Sequence, residues 1–208
     1  MTKLSLKNVL VVAFFLSGVA TFLYEVVWLR PLELVFGSTI YAVSTILMTF
    51  LAGFSIGSYL FRNIADRSKN PLLLFSLLEL GIGVYGVLII FIISSLPKLY
   101  ILLSQTPLFF VLKFIFIFLV LIIPTTLMGA TWPVVNKAYS SGVESLGLAS
   151  GRLYSSNSLG NALGALLAGF VLIPLFGILN SSIFAASLNI VAALMIFVWS
   201  KRRYHDES

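Results

Sequence analysis

Val9-Leu-Val-Val-Ala-Phe-Phe-Leu-Ser-Gly-Val-Ala-Thr-Phe-Leu-Tyr-Glu-Val-Val-Trp-Leu29 is one apolar run broken by a single carboxylate, Glu25. Its about 21 residues match the roughly 20 that a helix needs to cross a ~30 Å hydrocarbon core. Lipid offers backbone groups no partner, so a run of this kind closes its own hydrogen bonds as a helix. Lys3 and Lys7, the apolar residues 9–16 and the small residues near Ala20 imitate a secretory signal peptide. The continuation of the run to Leu29 favours a membrane span instead.

The rest of the chain repeats this pattern. Of the 208 residues, 60% are hydrophobic and only 10% charged, and the mean hydropathy is +1.09. A soluble domain carries about 25% charged residues. Hydropathy predicts an all-α polytopic membrane protein forming one transmembrane domain over 1–208. Its spans are predicted at about 8–29, 39–61, 71–96, 107–135, 148–176 and 181–200, like a half-size major-facilitator bundle.

The net charge of +6 reads as topology rather than as a nucleic-acid surface. Lys3, Lys7, Arg62, Arg67, Lys69, Lys137, Arg152, Lys201, Arg202 and Arg203 fall on one side of the predicted spans, and only Arg30 and Lys98 on the other. Basic loops stay inside, which predicts a multi-pass protein of the cell membrane with both termini cytoplasmic. With no cysteine, and one histidine in the tail (His205), the chain has no set of soft or imidazole metal ligands. It carries no phosphate-binding loop, dinucleotide fingerprint or nucleophile elbow. The expectation is a protein without cofactor, metal or catalytic residues.

Ionisable groups inside the spans are the functional leads, because each costs roughly 2.5–3.5 kcal/mol to insert. Glu25 lies beside Tyr24 and Trp28 and five residues before Arg30, which with Pro31 is expected to mark the outer end of the first helix. Glu79 and Tyr85 sit in the third span, with Glu79 about 12 Å deep at ~1.5 Å per residue. Lys113 enters the fourth span at a depth similar to that of Glu25. The two are expected to form a buried ion pair, to snorkel to the interface, or to be part of a path for substrate or protons.

Two further segments are unusual. Pro124-Thr-Thr-Leu-Met-Gly-Ala-Thr-Trp-Pro133 predicts an interruption of the fourth span, either a simple kink or a cavity lined by Thr125, Thr126 and Thr131. Gly151-Arg-Leu-Tyr-Ser-Ser-Asn-Ser-Leu-Gly-Asn161 opens the fifth span with Arg152, Ser156 and Asn157, as a polar seam or a cavity wall. Gly53-x-x-x-Gly57, Gly147-x-x-x-Gly151 and Gly160-x-x-x-Gly164 mark helix contacts, within the chain or between two copies in a homodimer.

Six motifs follow in a fixed order: Phe15-Leu-Ser-Gly, Tyr24-Glu-Val-Val-Trp-Leu-Arg30, Phe36-Gly-Ser-Thr-Ile-Tyr-Ala-Val-Ser-Thr45, Leu77-Leu-Glu-Leu-Gly-Ile-Gly, Leu127-Met-Gly-Ala-Thr-Trp-Pro133 and Gly151-Arg-Leu-Tyr-Ser-Ser-Asn. Together they resemble the membrane domain of the fused spermidine synthase-like proteins of bacteria and archaea, the major-facilitator/spermidine-synthase fusions. In that family an aminopropyltransferase-like domain commonly follows the helices. The residues up to Ser208 contain none of its parts, so the resemblance implies the membrane module and not the enzymatic activity.

The resemblance implies a non-enzymatic, transporter-like module of polyamine metabolism that binds or moves a small cationic solute such as spermidine. Its candidate binding residues are Glu25, Tyr24, Trp28, Arg30, Glu79, Tyr85, Lys113, Arg152 and Asn157. The alternative is a membrane anchor or scaffold for a separately encoded aminopropyltransferase-like protein.

Overall fold

The computed structural model describes residues 5–36, 40–103, 108–140 and 146–206; the side chains of 34–36, 96–103, 109, 110, 113, 146 and 202–206 lie outside that description. The described residues are helical almost throughout: α1 (Leu6–Phe36), α2 (Ile40–Arg67), α3 (Pro71–Leu103), α4 (Phe109–Tyr139), α5 (Leu146–Leu167) and α6 (Ile173–Asp206). A single π-helical turn, Ala168–Leu172, joins α5 to α6. Five stretches are long and apolar enough to cross a membrane, the last being the 55 residues Gly147–Lys201.

Helix ends differ from the sequence expectation where neighbours hold them. α1 continues through Pro31 to Phe36 instead of ending at Arg30, with Leu32 fully buried in the core beyond the proline. α2 continues through the charged segment to Arg67, leaving only Ser68–Asn70 before α3. There the Asn70 side chain accepts from the Leu73 amide at 3.0 Å, and Pro71 occupies the first helical position, where no amide proton is needed.

The 55 residues Gly147–Lys201 would extend about 80 Å as one straight helix, far beyond a bilayer. The chain reverses at Gly177, whose φ of 75° and ψ of 176° only glycine adopts without strain. Residue contacts then fix the helix directions. Val11 and Val19 of α1 meet Ser156 and Gly164 of α5, so α1 and α5 are parallel. Ser17 meets Glu79 and Tyr24 meets Gly86, so α3 runs the same way. Asn70 meets Ser200 and Gly86 meets Ser182, so α6 opposes α3. α4 also opposes α3, through Tyr85 with Val120 and Gly81 with Leu127, and α2 runs parallel to α4.

The glycine pairs serve this packing. A Cβ on Gly53 or Gly57 would strike Thr125 and Thr126 of α4, and one on Gly160 or Gly164 would strike the α1 backbone. Gly147 and Gly151 meet nothing within 4 Å among the described residues.

Large apolar side chains cover the outside, among them Leu51 and Tyr59 on α2, and Phe170 and Leu175 after α5. Contiguous apolar surface on this scale is unfavourable in water and suits contact with lipid. The buried side chains form two clusters. One centres on Tyr24, Trp28 and Phe50. The other centres on Phe14, Phe75 and Val134, towards the end where Asn8, Asn70, Tyr139 and Ser200 gather.

Candidate functional site: a polar layer across the bundle

Polar side chains are concentrated between the two apolar clusters. Glu79 of α3 has no solvent exposure. Ser17 Oγ of α1 donates to its Oε1 at 2.6 Å, and Asn189 Nδ2 of α6 donates to its Oε2 at 2.7 Å. One carboxyl group thus ties three helices together. A carboxylate offers about four acceptor positions, so two neutral donors leave capacity unfilled. Asn189 Oδ1 is buried and has no hydrogen-bond partner among the described residues.

Ser17 also faces a cavity of about 210 Å³ between α1, α2, α4 and α5. Its polar wall comes from Ser17, Thr21, Ser58, Thr131, Asn157 and Asn161, and its apolar wall from Phe14, Phe54, Met128 and Trp132. The α5 side is laced to α1. Ser156 Oγ donates to the Val11 carbonyl at 3.0 Å, and Asn157 Nδ2 to the Phe14 carbonyl at 3.0 Å. The Asn161 amide, turned so that its nitrogen faces acceptors, donates to the Gly18 carbonyl at 3.0 Å. The α5 opening is therefore a seam along α1 and, at Asn157 and Asn161, a cavity wall as well.

The fourth helix is not interrupted. α4 runs unbroken through Pro124 and Pro133 because neighbouring hydroxyls take the carbonyls that the prolines release. A proline has no amide proton for the carbonyl four residues earlier. For Pro124 that carbonyl belongs to Val120, and Tyr85 Oη of α3 donates to it at 2.8 Å. For Pro133 it belongs to Gly129, and Ser58 Oγ of α2 donates to it at 2.9 Å. Satisfaction from neighbouring helices is how membrane helices tolerate proline.

The other sequence-derived candidates are spread over several places. Thr131 lines the cavity, and its hydroxyl also donates to the Met128 carbonyl at 2.7 Å. Thr125 is fully buried against Gly53 and donates to the Leu121 carbonyl at 2.7 Å, while Thr126 packs its backbone on Gly57; neither lines the cavity. Tyr24 and Trp28 stack with ring centroids 4.7 Å apart, about 10 Å along α1 from Ser17. Their Oη and Nε1 atoms are buried and have no hydrogen-bond partner among the described residues. Glu25 is half-buried and stands outside the cavity wall, and Arg30 is exposed.

Arg152 lies at the end of the bundle, where it donates to Asn8 Oδ1 at 3.2 Å and reaches the Tyr139 hydroxyl at 3.5 Å. The side chain of Lys113, and with it the expected pairing to Glu25, lies outside the described residues.

Sequence reasoning passed over Ser17, Thr21, Ser58 and Asn189 as site residues, and placed Asn161 beside Asn157 in a polar seam or cavity wall. The signal for Asn189 was the one amide in a last span whose other polar residues are serines. For Ser17 and Thr21 it was a small polar pair at i and i+4, within the same run as Glu25.

The helices, their lipid-facing exterior and the buried polar layer define a multi-pass helical membrane protein. Comparison with protein-family models, curated proteins and solved structures gives no match.

Proposed function

We propose that this protein is a non-enzymatic membrane module that binds a small organic cation, of the polyamine class, in the polar layer. In this reading the chain crosses the cell membrane six times, with both termini in the cytoplasm. The observation that carries the proposal is Glu79, a buried carboxyl at mid-bundle separated by one hydrogen bond, through Ser17, from a cavity of hydroxyls, amides and aromatic rings. An ammonium group needs acceptors on several sides and a nearby negative charge. Ser58, Thr131, Asn157 and Asn161 supply the oxygens, the rings of Phe14, Phe54 and Trp132 supply aromatic surface, and Glu79 supplies a carboxyl group one hydrogen bond behind Ser17. The motif resemblance to spermidine synthase-like membrane domains supports the choice of a polyamine.

Calorimetric titration of the purified protein with spermidine tests the reading. Glu79→Gln and Asn157→Ala are expected to weaken binding about tenfold or more each, the loss of roughly 1.4 kcal/mol. Glu25→Gln, which lies off the cavity, is expected to change it less than about threefold. Absence of saturable binding, or unchanged affinity in Glu79→Gln, refutes the proposal.

A further inference from the structure

A second cavity lies at the end of the bundle where the helix termini converge, and its chemistry is opposite to that of the polar layer. Its volume is about 750 Å³. Three helix ends contribute one lysine each: Lys7 from α1, Lys69 before α3 and Lys137 from α4. No carboxylate is among its lining residues. Between the lysines stand Ser68, Asn70, Ser140 and Ser200.

The pocket is built, not merely a basic surface. Asn70 Nδ2 donates to Ser200 Oγ at 2.9 Å, which fixes the rim between α3 and α6. The Lys7 ammonium lies 5.6 Å over the Tyr139 ring, which holds the α1 start against the α4 end. The Ser140 hydroxyl is buried and has no hydrogen-bond partner among the described residues. The long helix α3 starts here at Asn70 and Pro71; the Asn70 side chain already takes the Leu73 amide, so the helix adds only the positive end of its dipole. Lysine ammoniums and hydroxyl donors beside the positive end of a helix dipole form a receptor for a phosphate group.

We infer that this cleft is a binding site for a phosphate-bearing anion, distinct from the cation site proposed in the polar layer. Its place at the ends of membrane helices puts it level with lipid headgroups, where basic pockets between helices take anionic phospholipids. Soluble phosphates share the same chemistry. Topology alone asks only for positive charge on this side. It does not ask for three lysines from three helix ends and several hydroxyls to line one cleft.

Lipid titration of the full-length protein in neutral detergent, read by native mass spectrometry, tests the inference. Phosphatidylglycerol is expected to bind at one saturable site, and phosphatidylcholine to bind weakly. Lys69→Gln with Lys137→Gln is expected to weaken phosphatidylglycerol binding about 25-fold, from roughly fivefold per cation near a headgroup. Arg62→Gln with Lys201→Gln removes the same charge from positions outside the cleft, where the side chains lie over Tyr59 and Phe197, and is expected to change it less than about fivefold. Lys137→Gln alone, with an unchanged unfolding midpoint, keeps the comparison valid if the double variant misfolds. Millimolar pyrophosphate that displaces the lipid assigns the site to phosphate itself, and failure to displace it assigns the site to the lipid. Equal losses in the two double variants, or no saturable binding of either probe, overturn the inference.

Discussion

Replacing Tyr85 by phenylalanine removes one oxygen, and the structure says what that oxygen does. Its hydroxyl donates at 2.8 Å to the Val120 carbonyl that Pro124 leaves without a helical partner. Interhelical hydrogen bonds in membranes are worth about 0.6–2 kcal/mol, and a buried carbonyl left unpaired costs in the same range. Tyr85→Phe is therefore expected to destabilise the protein by about 1 kcal/mol. In a Pro124→Ala background, residue 124 regains an amide proton for Val120, and the same substitution is expected to cost less than about 0.5 kcal/mol.

The second proline provides an internal repeat of the test, since Ser58 serves Gly129 as Tyr85 serves Val120. Ser58→Ala is expected to lose its effect in a Pro133→Ala background. Equilibrium unfolding in mixed micelles, followed by circular dichroism and arranged as two double-mutant cycles, reads both couplings. Couplings at or below about 0.3 kcal/mol in both cycles refute the idea that these hydroxyls keep α4 continuous.

Other outcomes follow from the same geometry. The chain has no native cysteine, so single cysteines at Ser58, Thr131 and Asn157 are expected to react with a small polar thiol reagent, while those at Thr125 and Thr126 resist; labelling that is uniform across the five positions contradicts the cavity. Gly177→Ala is expected to cost about 1–3 kcal/mol because its backbone lies in a glycine-only region, whereas Gly151→Ala, on an open helix face, is expected to change stability by less than about 0.5 kcal/mol; equal effects by the same unfolding assay remove Gly177 as the reversal point. A fluorescent protein fused after Ser208 is expected to fluoresce, and alkaline phosphatase at the same site to stay inactive; the reverse pattern contradicts cytoplasmic termini.

The sequence by itself determined the class of structure. Runs such as Val9–Leu29 leave lipid as the natural surroundings, and in lipid the backbone of each run must form a helix whatever its neighbours do. Glycine spacing also marked local contacts correctly at Gly53, Gly57, Gly160 and Gly164, because four-residue spacing places small residues on one face before any partner is known.

Only the tertiary structure decided what Tyr85, Ser58 and Glu79 do, because their partners lie on other helices. The Pro124–Pro133 segment reads as a break when taken alone. It becomes a continuous helix once Tyr85, 35 residues away, and Ser58, 71 residues away, supply the missing donors. Glu25 is the most conspicuous charge in the sequence, yet it stands outside the cavity, while Glu79 gains its setting from Ser17 and Asn189, 62 and 110 residues distant. Intrinsic hydropathy is a property of a segment and can be read along the chain. Hydrogen-bond satisfaction in a membrane is a property of the packed bundle, and it appears only when the helices are placed side by side.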